Sequence, residues 1–243
     1  IRRKNPGDVI LAYKEFCDAL TKQQAKECCL LMHTQPVDNN GTDLMSVKEN
    51  ICPDYDVVFT NMKFETDGLN LLYNLVDVTL NIASNEGFGL ATCESMKAGT
   101  PIIVNVTGGL QDQCGFKIDD KFVSCDDYVK LGSLHNKRKL PKNLTWGNWV
   151  KPVWPTNRSL QGSPVTPYIF DDRCSYEDVS EKLKKWYDTP KDERHEFGLE
   201  GWKFANSKDS NMSATNMGRL FVEAMEGTFK NWKPKRDIVL CKI

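Results

Sequence analysis

Residues 72–104 read LYNLVDVTLNIASNEGFGLATCESMKAGTPIIV. Residues 78–83 (VTLNIA) and 100–106 (TPIIVNV) are short, mainly apolar runs rich in β-branched residues, which predicts two strands. Residues 68–77 (GLNLLYNLVD) place Leu69, Leu72, Tyr73 and Val76 on one side at helical spacing. A second helix is expected over 90–98 (LATCESMKA), after a turn carrying Gly87 and Gly89. Helices alternating with apolar strands mean a parallel sheet covered on both faces. In such folds ligands sit at the carboxyl ends of the strands. NEGFGLATCE, residues 85–94, therefore lies on the ligand-binding edge.

The alternation extends toward the N-terminus. Val9, Tyr13, Phe16, Cys17 and Leu20 share a helix face within 7–27, and CLLMH (29–33) and DVVFT (56–60) read as strands. DLMSVKEN (43–50) reads as a short helix starting at an Asp cap. From 117 to 167 the period disappears into a Pro-, Trp- and Asn-rich excursion, expected to be held by Trp146, Trp149 and Trp154. Its basic patch, Lys137-Arg138-Lys139, reads as a solvated loop. PYIFDD (167–172) reads as a strand. Helices follow over about 175–230, the first with a Ser175 cap and Val179, Leu183 and Trp186 in register. The expected fold is α/β: one doubly wound, mainly parallel, Rossmann-like domain over 1–243.

The chain has 243 residues, with 32 basic against 33 acidic side chains and a formal charge of −1. This balance gives no electrostatic footprint for nucleic acid. Nine cysteines, at 17, 28, 29, 52, 93, 114, 125, 174 and 241, form no C-x-x-C pair and several lie in apolar runs. They read as reduced thiols packed as small hydrophobes in a cytosolic protein. No apolar run approaches the ~18 residues of a membrane span. The expected location is cytoplasmic, soluble or peripherally membrane-associated.

Glu86 follows the strand over 78–83, and Glu94 stands eight residues further on, one turn into the next helix. The helix start between them offers free N–H groups and a positive dipole end to an anion such as a diphosphate. A carboxylate at Glu94 repels phosphate but accepts hydrogen bonds from a vicinal diol, as a ribose presents. Pattern alone gives about equal weight to Glu86 as a helix N-terminal charge and Glu94 as a solvated surface residue. A dinucleotide fingerprint fits less well, because Thr92 stands where G-x-G-x-x-G needs its third glycine.

EGFGLATCESMKAGTPIIVNVTGG resembles the E-x7-E signature of retaining nucleotide-sugar glycosyltransferases, in particular the large family-4 group. RRKNPGDVILAYKEF is similar to that family's Arg-x4-Lys-Gly segment and following helix, and GLQDQ stands near its Gly-Gly-Glu position. The resemblance implies the donor-binding, C-terminal half of a GT-B enzyme, with the N-terminal acceptor domain and the family's arginine lying before residue 1. It implies that Glu94 binds ribose, Glu86 contacts the transferred sugar, and Gly87, Phe88, Gly89 and Leu90 line sugar and phosphate. Lys4 matches the lysine that neutralises the diphosphate, with Arg3 as the neighbouring register. Lys4 and Glu86 are thus the catalytic expectation. Met62 and Lys63 follow the strand after which the family seats the base. The implied reaction is metal-independent sugar transfer with no cofactor, the leaving phosphate helping to deprotonate the acceptor. GDP-mannose is the first donor choice, UDP-sugars the next, and a glycan, lipid or protein-linked acceptor is the partner. A GT-B nucleotide-sugar epimerase and a non-catalytic nucleotide-sugar-binding module are the alternatives. His33 lies at the ligand edge but reads as a satisfied histidine; His135 and His195 read as surface.

Overall fold

The computed structural model describes residues 2–131, 139–162 and 164–233. Lys137, Arg138, His135 and the tail from 234 lie outside the described residues.

The first half alternates as its sequence predicts. Helix α1 (Pro6–Asp18) starts with proline at its first turn, where a missing N–H costs nothing. A single turn, α2 (Lys22–Ala25), is closed by a capping box between Thr21 and Gln24. Then come β1 (Leu30–His33), α3 (Leu44–Ile51) capped by Asp43, β2 (Val57–Thr60), α4 (Thr66–Leu75), β3 (Thr79–Asn81), α5 (Leu90–Lys97) and β4 (Ile102–Asn105). Strand β1 pairs with β2 in parallel, and β3 with β4 in parallel.

The excursion contains more order than its composition suggests. It holds β5 (Lys117–Ile118), β6 (Lys121–Phe122), α6 (Cys125–Leu131), β7 (Leu144–Thr145), β8 (Val150–Val153) and β9 (Asn157–Gln161). Strand β8 pairs in parallel with β4 and extends the main sheet to the order β3-β4-β8. Its sequence, VKPV, hides it, because Pro152 argues against a strand interior. Pro152 is tolerated because β8 is the outer strand of this sheet. The strand expected at 167–172 is β10 (Ile169–Arg173), which forms an antiparallel hairpin with β9 rather than joining the parallel sheet. Helices α7 (Tyr176–Asp188), α8 (Lys191–Asn206) and α9 (Ala214–Asn231) close the chain. Ser175 caps α7 by accepting a hydrogen bond from the Asp178 N–H at 3.0 Å.

Strand β4 shows why its first three residues are apolar. Ile102 and Val104 face a core with Met96, Val150, Trp149 and Phe204, on the α5–α8 side. Ile103 faces the opposite core with Ala12, Ile82, Val179 and Trp186, on the α1–α7 side. With helices on both faces, neither set of alternating side chains meets water. The parallel pairing falls into two ladders that are not hydrogen-bonded to each other, β1–β2 and β3–β4–β8. Helix α1 packs on both, contributing Ile10, Tyr13 and Phe16 to the first and Ala12 to the second.

Candidate functional site

The segment 2–5 is fixed to the carboxyl end of β3 by one backbone and one side-chain hydrogen bond. The Ser84 N–H donates to the Arg3 carbonyl at 2.8 Å, and Asn5 Nδ2 donates to the Ile82 carbonyl at 3.0 Å. Asn5, buried and left-handed at φ 49°, turns the chain directly into α1. These contacts bring the side chains of Arg3 and Lys4 onto the loop after β3.

There they meet Glu86. Arg3 Nη1 donates to Glu86 Oε2 at 2.9 Å and to the Asn85 carbonyl at 3.0 Å. Lys4 Nζ donates to the same Oε2. The Glu86 side chain is only 11% exposed, and its two cations just under 40%. Burial pushes the Glu86 carboxyl up, but the hydrogen bonds and charges of Lys4 and Arg3 outweigh it and leave the carboxyl below its ordinary range.

The glycines divide the turn between them. Gly89 holds φ 90° at the N-terminal end of α5, a conformation that favours glycine. Gly87 is exposed and has open space where a Cβ would stand, so a ligand can approach its backbone. Phe88 and Leu90 are exposed beside it, Leu90 at 67%. No side chain caps α5 at Gly89, so its first N–H groups have no side-chain partner from the cap position. One turn in, Glu94 is exposed and its Oε2 accepts a hydrogen bond from the Tyr73 hydroxyl of α4 at 2.9 Å. Met62 and Lys63 are exposed in the loop after β2. His33 Nδ1 shares a 2.9 Å hydrogen bond with Thr60 Oγ1, and its ring lies 5.1 Å from that of Phe64, so one ring nitrogen is paired within the protein. His195 is an exposed residue of α8.

No protein-family model matches this chain, and no curated protein matches it significantly. Solved structures do. A glycosyltransferase from Rickettsia africae ESF-5 superposes over 96% of this chain with a TM-score of 0.56 and 14% identity, through 47% of its own length. An α,α-trehalose 6-phosphate synthase from Burkholderia multivorans matches over 98% with a TM-score of 0.50 and 11% identity, through 43% of its length. A further trehalose-6-phosphate synthase matches over 96% with a TM-score of 0.52 and 11% identity, through 42%.

The fold is one that GT-B glycosyltransferases share. The chain spans less than half the length of each of these matched structures.

Within this GT-B-like fold, further residues are tied to the glycine turn. Gly108, at φ 47°, lies so close to the Glu86 carbonyl that a Cβ would run into it, and the Gly109 N–H donates to that carbonyl at 2.9 Å. The buried Gln113 donates from Nε2 to the carbonyls of Phe88 (2.7 Å) and Gly89 (2.9 Å), bracing the turn from beneath. The β9–β10 hairpin is tied to the same loop: Asp171 accepts from Ser84 Oγ and Asn85 Nδ2, both at 3.2 Å, and buried Asp172 accepts from Thr107 Oγ1 at 2.9 Å. Gln113 and Asp171 lie 24 or more residues from their partners along the chain, beyond the reach of any local motif. Only Gly108-Gly109, a glycine pair at a strand end, carried a signal. Among the described residues, no group of His, Cys, Asp and Glu has the arrangement of a metal site, and no helix is long and apolar enough to cross a membrane.

Proposed function

We propose that this chain is the donor-binding half of a retaining glycosyltransferase that uses a nucleotide-diphosphate sugar. The observation that carries the reading is the meeting of Arg3 and Lys4 with Glu86 beside the uncapped start of α5, at the carboxyl ends of the strands. Two cations and free helix N–H groups suit a diphosphate, and an exposed carboxylate one turn further along suits ribose hydroxyls.

Glu86 accepts from Arg3 and Lys4. An arriving diphosphate competes for the same cations, and the released carboxylate is then free for sugar hydroxyls. During transfer Arg3 and Lys4 stabilise the charge that develops on the departing diphosphate, which needs no metal. GDP-mannose is the first donor to test and UDP-sugars the next. The acceptor is a glycan, lipid or protein-linked sugar, presented by a second domain preceding this one.

Product analysis tests the reaction. The full chain, joined to its acceptor domain, is incubated with nucleotide sugar in the presence and absence of acceptor. Transfer of sugar with retained anomeric configuration supports the proposal. An epimerised sugar formed without acceptor points to epimerisation, and binding without turnover to a non-catalytic module; either contradicts it.

A further inference from the structure

Glu94 lies on the exposed face of α5, where a glutamate side chain samples several rotamers. One feature of its surroundings removes that freedom: the Tyr73 hydroxyl donates to Glu94 Oε2 at 2.9 Å. Tyr73 is itself fixed. It is half-buried on α4, and its carbonyl accepts a 2.7 Å hydrogen bond from the Thr100 hydroxyl. Thr100 is buried and its own carbonyl accepts from Ser95 Oγ of α5 at 3.2 Å. A closed chain of contacts thus runs from α4 through the start of β4 back to α5. The phenol stays protonated, since burial and the neighbouring carboxylate both push it up, so it acts only as a donor toward Glu94.

A carboxylate has about four acceptor positions over two oxygens. Tyr73 takes one on Oε2, which leaves Oε1 and the remaining position on Oε2 for two further donors. A ribose 2′,3′-diol supplies two. We propose that Tyr73 is a positioning residue that holds the Glu94 carboxylate ready for that diol, so that the pair selects ribonucleotides over 2′-deoxyribonucleotides. The inference rests on the reading of Glu94 as the ribose ligand. It adds the residue that orients the carboxylate and the selectivity that follows.

Calorimetric titration of the full chain with GDP, UDP and their 2′-deoxy counterparts tests it, using wild type, Tyr73→Phe and Glu94→Ala. Phenylalanine keeps the ring and removes the hydroxyl. The expected result is that Tyr73→Phe weakens ribonucleotide binding about 2- to 10-fold, the equivalent of one hydrogen bond. Binding of the 2′-deoxynucleotide, which keeps only the 3′-hydroxyl, weakens less. Combined with Glu94→Ala, the tyrosine change should add no further loss. A Tyr73→Phe protein that keeps the full ribose preference, or loses both ligands equally, overturns the role of Tyr73, while a loss of preference in Glu94→Ala leaves the ribose reading standing. If Glu94→Ala keeps the preference, or neither ribonucleotide binds, the ribose reading falls and this inference with it.

Discussion

The carboxylate of Glu86 is held by Arg3 and Lys4 in a mostly buried position, so its protonation reports on that pairing. Its folded-state pKa is lowered, which means its contribution to stability is complete above the unfolded value of about 4.3 and disappears as pH falls through the lower folded value. Glu86→Gln should therefore be less stable than wild type at neutral pH, with the gap closing in acid. Denaturant unfolding of both proteins between neutral pH and about pH 3 checks this; a gap independent of pH contradicts the ion pairing. Gly108 poses a steric question instead. Gly108→Ala puts a Cβ at φ 47° against the Glu86 backbone, which cannot step aside. The expected cost is about 2–4 kcal/mol, from left-handed strain plus overpacking. An unfolding midpoint matching wild type would show that the two loops are not packed as described.

Between elements, the loop of the candidate site is supported by the core on the α5–α8 side of the sheet. Trp149, just before β8, stacks on Phe204 of α8 at 4.8 Å between ring centroids, and its indole N–H donates to the Gln113 carbonyl at 3.0 Å. Gln113 in turn holds the Gly89 turn. Trp149→Ala should cost about 3–5 kcal/mol in chemical denaturation, the range for emptying a large aromatic site; a cost below about 1 kcal/mol would mean that the excursion is not part of the core. This also explains what the sequence showed and what it concealed. Strands β1 to β4 and helices α1, α3, α4 and α5 were legible because burial on one face or two writes a period into the chain. Strand β8 was not: four residues with a central proline carry no period, and its place depends on β4. The antiparallel β9–β10 hairpin was half legible, since only PYIFDD reads as a strand. Glu86, Glu94 and the glycine turn were visible as a local motif. Tyr73 was visible only as a helix-face residue, because its bond to Glu94 is made across 21 residues and two helices.

For the molecule as a whole, the fold is shared with solved GT-B structures at 11–14% identity, and the chain matches under half of each. Donor binding by this chain itself is the central proposal. The most direct measurement is calorimetric titration of wild type and Glu94→Ala with GDP-mannose and a panel of UDP-sugars. The account predicts that at least one nucleotide sugar binds the wild type and that Glu94→Ala loses about 1.5–3 kcal/mol, the range for hydrogen bonds to a charged group. That is about 10- to 100-fold in dissociation constant. Equal affinity of the two proteins, or no binding by any member of the panel, would contradict it.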